Sequence, residues 1–109
     1  MRLDFNAMAE AAISNLNHGR GTVRAKMFMD QNNKIMISVL PPGTSIGTHR
    51  HETSSEMNYV ISGRGRAVCD TAEEELHPGV CHYCPKGASH GIMNTGEEDL
   101  VLFTVVPEQ

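Results

Sequence analysis

Apolar and polar residues alternate along most of the chain after residue 21. Short segments of this kind, many rich in β-branched residues, are separated by Gly, Pro, Asn and Asp, a pattern typical of antiparallel strands joined by turns. The pattern predicts nine strands, over residues 22–29, 34–40, 45–51, 56–62, 64–70, 74–77, 80–84, 90–94 and 99–106. Nine short strands at this spacing favour a sandwich or barrel over alternating strands and helices.

The first twenty residues follow a different pattern. Apolar residues recur there at the spacing of one helix face, at Phe5, Met8, Ala9, Ala12, Ile13 and Leu16. Asp4 is a suitable N-cap before this stretch, and Gly19 is a suitable stop after it. We therefore predict one amphipathic α-helix, whose apolar stripe packs on the domain or on a partner subunit.

The length and composition are those of one ordinary globular domain. The 109 residues are 39% hydrophobic and 20% charged, with a formal net charge of -4. We expect a single domain with an N-terminal helix and arm (1–20) and a barrel (21–109). A nucleic-acid partner is not expected, because acidic residues outnumber the scattered basic ones. Without a bilayer-spanning apolar run or a continuous apolar signal stretch, the chain is expected to be cytoplasmic and free of membranes.

The three cysteines are expected to be reduced thiols. An odd number without a secretion signal does not suit a disulfide framework. Cys81 and Cys84 have the CxxC spacing of redox motifs, but an offset of three on a strand places their side chains on opposite faces. We interpret them as separate buried thiols.

The stretch GTHRHETSSE, residues 47–56, contains three side chains that commonly ligate metals. His49 and His51 are two residues apart, so on one strand both imidazoles point to the same face. Residues 52–55 have turn composition, which lets the chain double back and bring Glu56 beside them. Taken alone, two histidines at this spacing on a strand are more often surface or hydrogen-bonded side chains than metal ligands. His90, which follows a similar turn, is a fourth candidate ligand.

The residues around these histidines form two ordered blocks. The first block consists of Gly43, His49, His51, Glu56 and Gly63, separated by five, one, four and six residues. The second block consists of Gly79, Pro85, Gly87, His90 and Asn94, separated by five, one, two and three residues. Together they resemble the paired signature motifs of the cupin superfamily. The visible departure is Val80, where cupins often have an acidic residue.

The resemblance is to the small single-domain (type-2) cupins and implies a double-stranded β-helix, or jelly-roll, barrel that binds one divalent metal inside it. The ligands that it implies are His49, His51, Glu56 and His90. It also gives turn roles to the glycines and Pro85, and a structural hydrogen-bonding role to Asn94. Such ligands accept Mn, Fe, Co, Ni, Cu or Zn, so the metal's identity stays open. Three imidazoles and one carboxylate leave one or two metal positions free for a small molecule.

Strand parity extends the pocket beyond these ligands. If Glu56 points inward, Asn58 does too, and the cupin pattern implies that His82 and Cys84 face inward. His82 is our candidate catalytic acid or base; the alternative is a core histidine bonded to a neighbour. Asn58 and Cys84 are candidate substrate-binding residues. The acidic run 73–75 is interpreted as a solvated hairpin edge without a functional role.

Two functions from different classes fit this interpretation. The first is an enzyme in which the metal acts as a Lewis acid or activates oxygen, on a small metabolite that bears a carboxylate or carbonyl group. Isomerase, lyase or decarboxylase, and dioxygenase chemistry all remain open. The second is a metal-bearing module that binds or senses a small, sugar-like molecule without turnover. A homodimer is expected, because exposed strand edges and the N-terminal helix need covering.

Overall fold

The computed structural model describes all 109 residues and contains ten β-strands and two 3-10 turns. In chain order the strands are β1 (Ala11–Ser14), β2 (Thr22–Met29), β3 (Asn33–Leu40), β4 (Ser45–Arg50), β5 (Glu56–Ser62), β6 (Gly65–Cys69), β7 (Ala72–Leu76), β8 (Cys81–Cys84), β9 (Ser89–Asn94) and β10 (Leu100–Pro107). All nine predicted strands are present, with bounds that differ by at most two residues. The all-β jelly-roll class is thereby confirmed.

The strands form two antiparallel sheets. One sheet has six strands in the order β1-β2-β3-β10-β5-β8, and the other has four in the order β4-β9-β6-β7. Strand pairing does not join the two sheets, so the barrel consists of two sheets around a shared interior rather than one closed cylinder. No helical segment has the length and apolar character that crossing a membrane requires.

The predicted N-terminal α-helix is wrong. Phe5–Ala7 and Leu16–His18 form only 3-10 turns, and Ala11–Ser14 between them is strand β1, which pairs with β2. Pairing along the free edge of β2 outweighs the weak propensity of a short helix, which is marginal on its own. Two residues with positive φ, Asn15 and Asn17, also break any helical path.

The apolar residues of this segment serve both faces of the six-stranded sheet instead of one helix stripe. Phe5 packs edge-on against Phe103, with 6.3 Å between ring centroids. Ile13 and Leu16 line an interior cavity. The apolar residues of this segment therefore have helical spacing in the sequence although the segment does not form an α-helix.

Inward-facing residues change from apolar to polar along several strands. The apolar core lies at one end and consists of Val23, Leu40, Val60, Ala67, Leu76, Ile92, Leu100 and Leu102. On β5 the inner face continues from Val60 to Asn58 and Glu56, and on β10 it continues from Leu102 to Thr104. Because side chains on a strand alternate with a period of two, neighbouring strands deliver these polar groups to the same end of the interior.

Turn geometry confirms the structural roles that the sequence motifs imply. Positive φ values of 79°, 87°, 94° and 91° occur at Gly43, Gly63, Gly79 and Gly87. At Gly63 a side chain would also overlap the carbonyl of Asp99. The buried amide of Asn94 donates to the carbonyls of Leu40 at 2.8 Å and Glu98 at 2.7 Å. It thus ties three chain segments together.

Candidate metal centre

Three chain segments bring the predicted ligands together at the polar end of the interior. His49 lies on β4 directly opposite His90 on β9. His51 follows the end of β4, and its backbone is held by two hydrogen bonds, from its N–H to the Ala88 carbonyl and from the Gly87 N–H to its own carbonyl. Residues 51–55 then reverse the chain, so that β5 begins with Glu56 on the inner face.

The four side chains present their donor atoms to one point. One ligand atom from each of His49, His51, Glu56 and His90 lies within 4.8 Å of all the others. The Nε2 atom of His51 is central: it lies 3.2 Å from His49 Nε2, 3.1 Å from His90 Nε2 and 3.1 Å from Glu56 Oε1. Glu56 Oε2 lies 3.4 Å from His90 Nε2.

These distances fit a shared transition metal. Two donors that each lie about 2.1 Å from one ion are about 3.0 Å apart at a right angle and about 3.4 Å apart at a tetrahedral angle. The separations between His51, its imidazole neighbours and Glu56 fall in this range. The donor set of three imidazoles and one carboxylate could therefore hold a divalent metal.

Each imidazole is oriented by a partner at its other nitrogen. Nδ1 of His49 lies 2.8 Å from the Gly47 carbonyl, which can only accept, so the proton lies on Nδ1 and Nε2 keeps its lone pair. Nδ1 of His51 lies 2.9 Å from the hydroxyl of Ser54. Nδ1 of His90 lies 3.0 Å from Nε2 of His82. Such contacts fix the ring orientations that a metal site needs.

Glu56 is held as a carboxylate by a chain of hydrogen bonds. The Thr104 hydroxyl donates to the Asn58 side-chain oxygen at 2.6 Å, and the Asn58 amide donates to Glu56 Oε2 at 2.7 Å. Burial by itself raises the pKa of Glu56. The nearby imidazoles of His51 and His90 and the amide of Asn58 outweigh that effect and hold the pKa of Glu56 well below its ordinary value. The candidate site therefore keeps a charged carboxylate in mildly acidic solution.

Partial burial lowers the pKa of the His49 imidazole and so favours its neutral form. Burial lowers the pKa of His49, and the neighbouring His90 and His51 lower it further, against the raising effects of the Gly47 carbonyl and Glu56. A neutral imidazole is the form that binds a metal. The side-chain amide of Asn17, from the N-terminal arm, lies 3.2 Å from His49 Nδ1.

A cavity of about 360 Å³ opens above the donors. His49, His51 and Glu56 line it, together with Asn58 and Thr104. Most of the remaining wall is apolar, and it consists of Ile13, Leu16, Val23, Ala25, Met27, Met36, Ile46, Leu102 and Val106. A metal held by the four donors would face this space, which has room for a small molecule.

The other predicted site residues lie in different positions. Asn58 lines the cavity, with its amide directed to Glu56 and its oxygen to Thr104. His82 is completely buried, as the inward parity of β8 predicts, but it lies behind His90 and does not line the cavity. Cys84 is buried outside the lining as well, with its thiol near the carbonyls of Pro85 and Ala88.

The cysteines lie as strand parity predicts. All three are free thiols. Cys84 is buried as expected, but Cys81 lies exposed on the opposite face of β8, so its expected burial is wrong. Burial, together with neighbouring Cys69, raises the pKa of the Cys84 thiol to about 12. Cys84 is therefore a neutral core thiol at physiological pH.

Several contributing residues could not be found from the sequence. Ser54 and Thr104 orient two donors, Asn17 reaches the site from the arm, Lys34 lies at the cavity rim, and Glu74 contacts His82. The only available signal was parity for Thr104 and Lys34, both inward on their strands. Nothing in the sequence indicates which strands meet across the interior.

Comparison with known proteins agrees with this fold and site. The cupin-domain family model matches residues 36–106, and the chain belongs to the cupin family. An oxalate-binding protein of Thermotoga maritima is 32% identical over 100 residues, which cover 86% of this chain and 83% of that protein. An uncharacterised protein of Methanocaldococcus jannaschii is 33% identical over 65 residues, covering 60% of this chain and 52% of that protein.

Solved structures are similar over most of the chain. The crystal structure of a predicted oxalate decarboxylase from Thermotoga maritima has a TM-score of 0.94 at 27% identity and covers all of both chains. The Cnp3 cupin domain of Schizosaccharomyces pombe has a TM-score of 0.77 at 10% identity, covering 91% of this chain and 69% of that one. The second likeness concerns the fold alone.

Proposed function

We propose that this cupin binds one divalent transition metal through His49, His51, Glu56 and His90 and, on that metal, a small carboxylate of about the size of oxalate. The observation that carries the proposal is the convergence of four donor atoms, all within 4.8 Å of one another, at the floor of a cavity. The oxalate-binding relative supports the choice of ligand class.

The metal's contribution is Lewis acidity toward carboxylate oxygens. The chain's own residues hold the ion, exclude bulk water with apolar walls, and leave the cavity side of the site open to the ligand. Mn, Fe, Co, Ni, Cu and Zn all suit nitrogen and oxygen donors of this kind, so availability selects among them.

Lys34 supplies a positive charge at the cavity rim. It is exposed, lines the cavity and pairs with Val106 on β10. Because Val105 pairs with Met57 on β5, the next residue, Val106, lies beside Glu56. With neighbouring strands 4.7–4.9 Å apart, the backbones of Lys34 and Glu56 are about 10 Å apart. The ammonium group is thus suited to attract an anion toward the metal.

Decarboxylation of the same ligand is the second candidate, and the similarity to the predicted oxalate decarboxylase of Thermotoga maritima favours it. For oxalate the step breaks the carbon–carbon bond, releases carbon dioxide and adds one proton to give formate, with no external oxidant. Apart from the proposed metal ligands, Lys34 is the only titratable group that lines the cavity. The proton would therefore come from Lys34 or water, and the roles predicted for His82 and Cys84 would have to be indirect.

Titration calorimetry with oxalate tests the proposed function. The chain loaded with Mn(II) should bind one oxalate, whereas metal-free chain and His49→Ala should release no binding heat. His77→Ala, which removes an exposed histidine, is the matched control and should behave like the wild type. Equal binding of oxalate to the metal-free chain would overturn the proposal. Formate and carbon dioxide in the same samples would select turnover over binding alone.

We also propose that the chain forms a homodimer through the outer face of β5 and β8. Tyr59, Ile61 and Tyr83 lie on that face and are about half exposed, at 46%, 47% and 52%. Large apolar side chains grouped on one surface favour association with another subunit. A second copy of the same chain is the simplest partner that would cover them.

A further inference from the structure

His82 is a buried histidine with partners at both ring nitrogens, although it lies outside the cavity. Its Nε2 lies 3.0 Å from Nδ1 of His90, and its Nδ1 lies 2.7 Å from Glu74 Oε1. His82 is on β8, an edge strand of the six-stranded sheet, whereas Glu74 is on β7, an edge strand of the four-stranded sheet. The contact therefore bridges an opening that strand pairing leaves between the sheets.

The order of these groups determines where the protons lie. A carboxylate can only accept, so neutral His82 carries its proton on Nδ1 and keeps a lone pair on Nε2. That lone pair accepts from the Nδ1–H of His90, which leaves the lone pair of His90 on Nε2. Nε2 is the atom that lies 3.1 Å from His51 Nε2 among the four donors. The hydrogen bonds from Glu74 through His82 to His90 thus favour the tautomer of His90 that has its proton on Nδ1 and can ligate a metal through Nε2.

We propose that Glu74 and His82 are positioning residues for His90 and strengthen it as a metal ligand. They fix the ring and its proton, and the negative charge of Glu74 acts through His82 to make His90 Nε2 a better donor. This inference rests on the proposed metal site. The role proposed for His82 needs no contact with the small molecule. The role proposed for Glu74 differs from the sequence-based interpretation, in which residues 73–75 form a solvated edge without function.

Packing alone does not account for the arrangement. A buried imidazole is costly unless its nitrogens are paired, and an apolar residue would fill the same inward position on β8. Of the three consecutive glutamates on β7, Glu74 contacts the buried imidazole. Glu75 instead lies 3.2 Å from Arg66, and Glu73 shares its face by strand parity.

Cobalt(II) binding to four chains tests the proposal. Glu74→Gln keeps an oxygen acceptor but removes the negative charge. His82→Gln removes the imidazole that connects Glu74 to His90. Glu73→Gln is the matched control, since it makes the same charge change on the same strand but on the other face. Affinity is measured by competition with a coloured chelator, and folding is checked by circular dichroism. Proton NMR of the cobalt form reports the exchangeable N–H signals of the ligand imidazoles.

The wild type and Glu73→Gln should bind cobalt equally and show the same exchangeable signals. His82→Gln should lose about 10- to 100-fold in affinity, the range for residues that orient metal ligands. Glu74→Gln should bind more weakly than Glu73→Gln and shift the Nδ1–H signal of one imidazole. If His82→Gln does not fold, the surface variant Glu74→Gln decides.

Two results would overturn the proposal, and they differ in what else they overturn. Unchanged affinity and an unchanged imidazole spectrum in Glu74→Gln would remove the positioning role while leaving the metal site in place. Failure of the wild-type chain to bind cobalt or any other divalent transition metal would remove the metal site and the positioning role together.

Discussion

At the residue scale, the candidate site depends on hydrogen bonds that hold its ligands as much as on the ligands themselves. Nδ1 of His49 contacts the Gly47 carbonyl, and Nδ1 of His51 contacts the Ser54 hydroxyl. Oε2 of Glu56 accepts a hydrogen bond from the Asn58 amide. Such partners reduce the freedom that each side chain would lose on binding a metal. Substitutions at the partners should therefore weaken metal binding without removing a donor.

Thr104→Val tests this expectation at a single hydroxyl. The substitution keeps the shape of the side chain but leaves the buried Asn58 oxygen without its donor at 2.6 Å, so we expect a loss of about 1–3 kcal/mol in the free energy of unfolding. Urea unfolding of the metal-free chain measures it, and metal affinity should fall in parallel. Thr48→Val, at an exposed position on β4, should change neither quantity. Equal unfolding curves for the two variants would contradict the role given to Thr104.

The pKa shifts of two proposed ligands predict how the stability of the metal-free chain depends on pH. The folded state lowers the pKa of His49 below 6.5 and that of Glu56 below 4.5. Below these ordinary values the unfolded chain takes up protons that the folded chain does not, so stability falls as pH falls, first from His49 and then from Glu56. Urea unfolding between pH 8 and pH 4 should show this decline. His49→Gln should remove the part that begins near pH 6.5, and an unchanged profile in that variant would contradict the account.

At the element scale, strands were predictable and the N-terminal arm was not. Alternation and turn residues locate β2 to β10, because most of these strands bury one face and so have a period of two in the sequence. The mostly exposed β7 is instead marked by the turns on either side of it. The segment 5–16 has helical spacing because Phe5 packs on one face of the sheet and Ile13 and Leu16 on the other. Pairing between β1 and β2 is a tertiary effect that no local pattern reveals.

The same distinction applies to the site. Spacing and motif resemblance predict the candidate ligands, because both histidines of the first block share one strand face and the turn brings Glu56 to them. Glu74 and His82 meet across two edge strands from different sheets, and this contact depends on how the sheets pack. A sequence without a known fold contains no signal for it.

Gly47→Ala tests how the arm is held. The arm packs so closely on β4 that a side-chain carbon at Gly47 would overlap the backbone carbonyl of Asn17. We expect the arm to be displaced, the cavity wall at Ile13 and Leu16 to open, and stability to fall by about 1–3 kcal/mol. Limited trypsin digestion at Arg20 should accelerate several-fold. Gly96→Ala is the control, because the added carbon meets Arg64 at an ordinary contact distance of 3.5 Å, and its digestion should match the wild type. Equal digestion rates in the wild type, Gly47→Ala and Gly96→Ala would contradict the close packing of the arm on β4.

At the scale of the whole molecule, the two sheets divide stability and chemistry between opposite ends of one interior. Aliphatic residues from both sheets pack at one end, including Leu40, Leu76 and Leu100, each with 1% exposure or less. The donors and the cavity occupy the other end. Because the packed end does not depend on the donors, we expect ligand substitutions to remove metal while leaving a folded chain.

The proposed homodimer makes a separate prediction. Light scattering should give a mass of twice 11.9 kDa for the wild type. Tyr83→Lys, which places a charge on the outer face of β8, should shift the mass toward the monomer while metal content stays unchanged, because that face is outside the cavity. A wild-type mass of 11.9 kDa at micromolar concentrations would rule out the dimer.

Elemental analysis after dialysis measures whether the four side chains hold one metal ion. Wild-type chain and His77→Ala should each retain about one divalent transition metal per chain, whereas His49→Ala and Glu56→Gln should retain much less. Circular dichroism should show all four chains folded. Equal metal content in the four chains, or none in the wild type after incubation with each of the six candidate metals, would contradict the account.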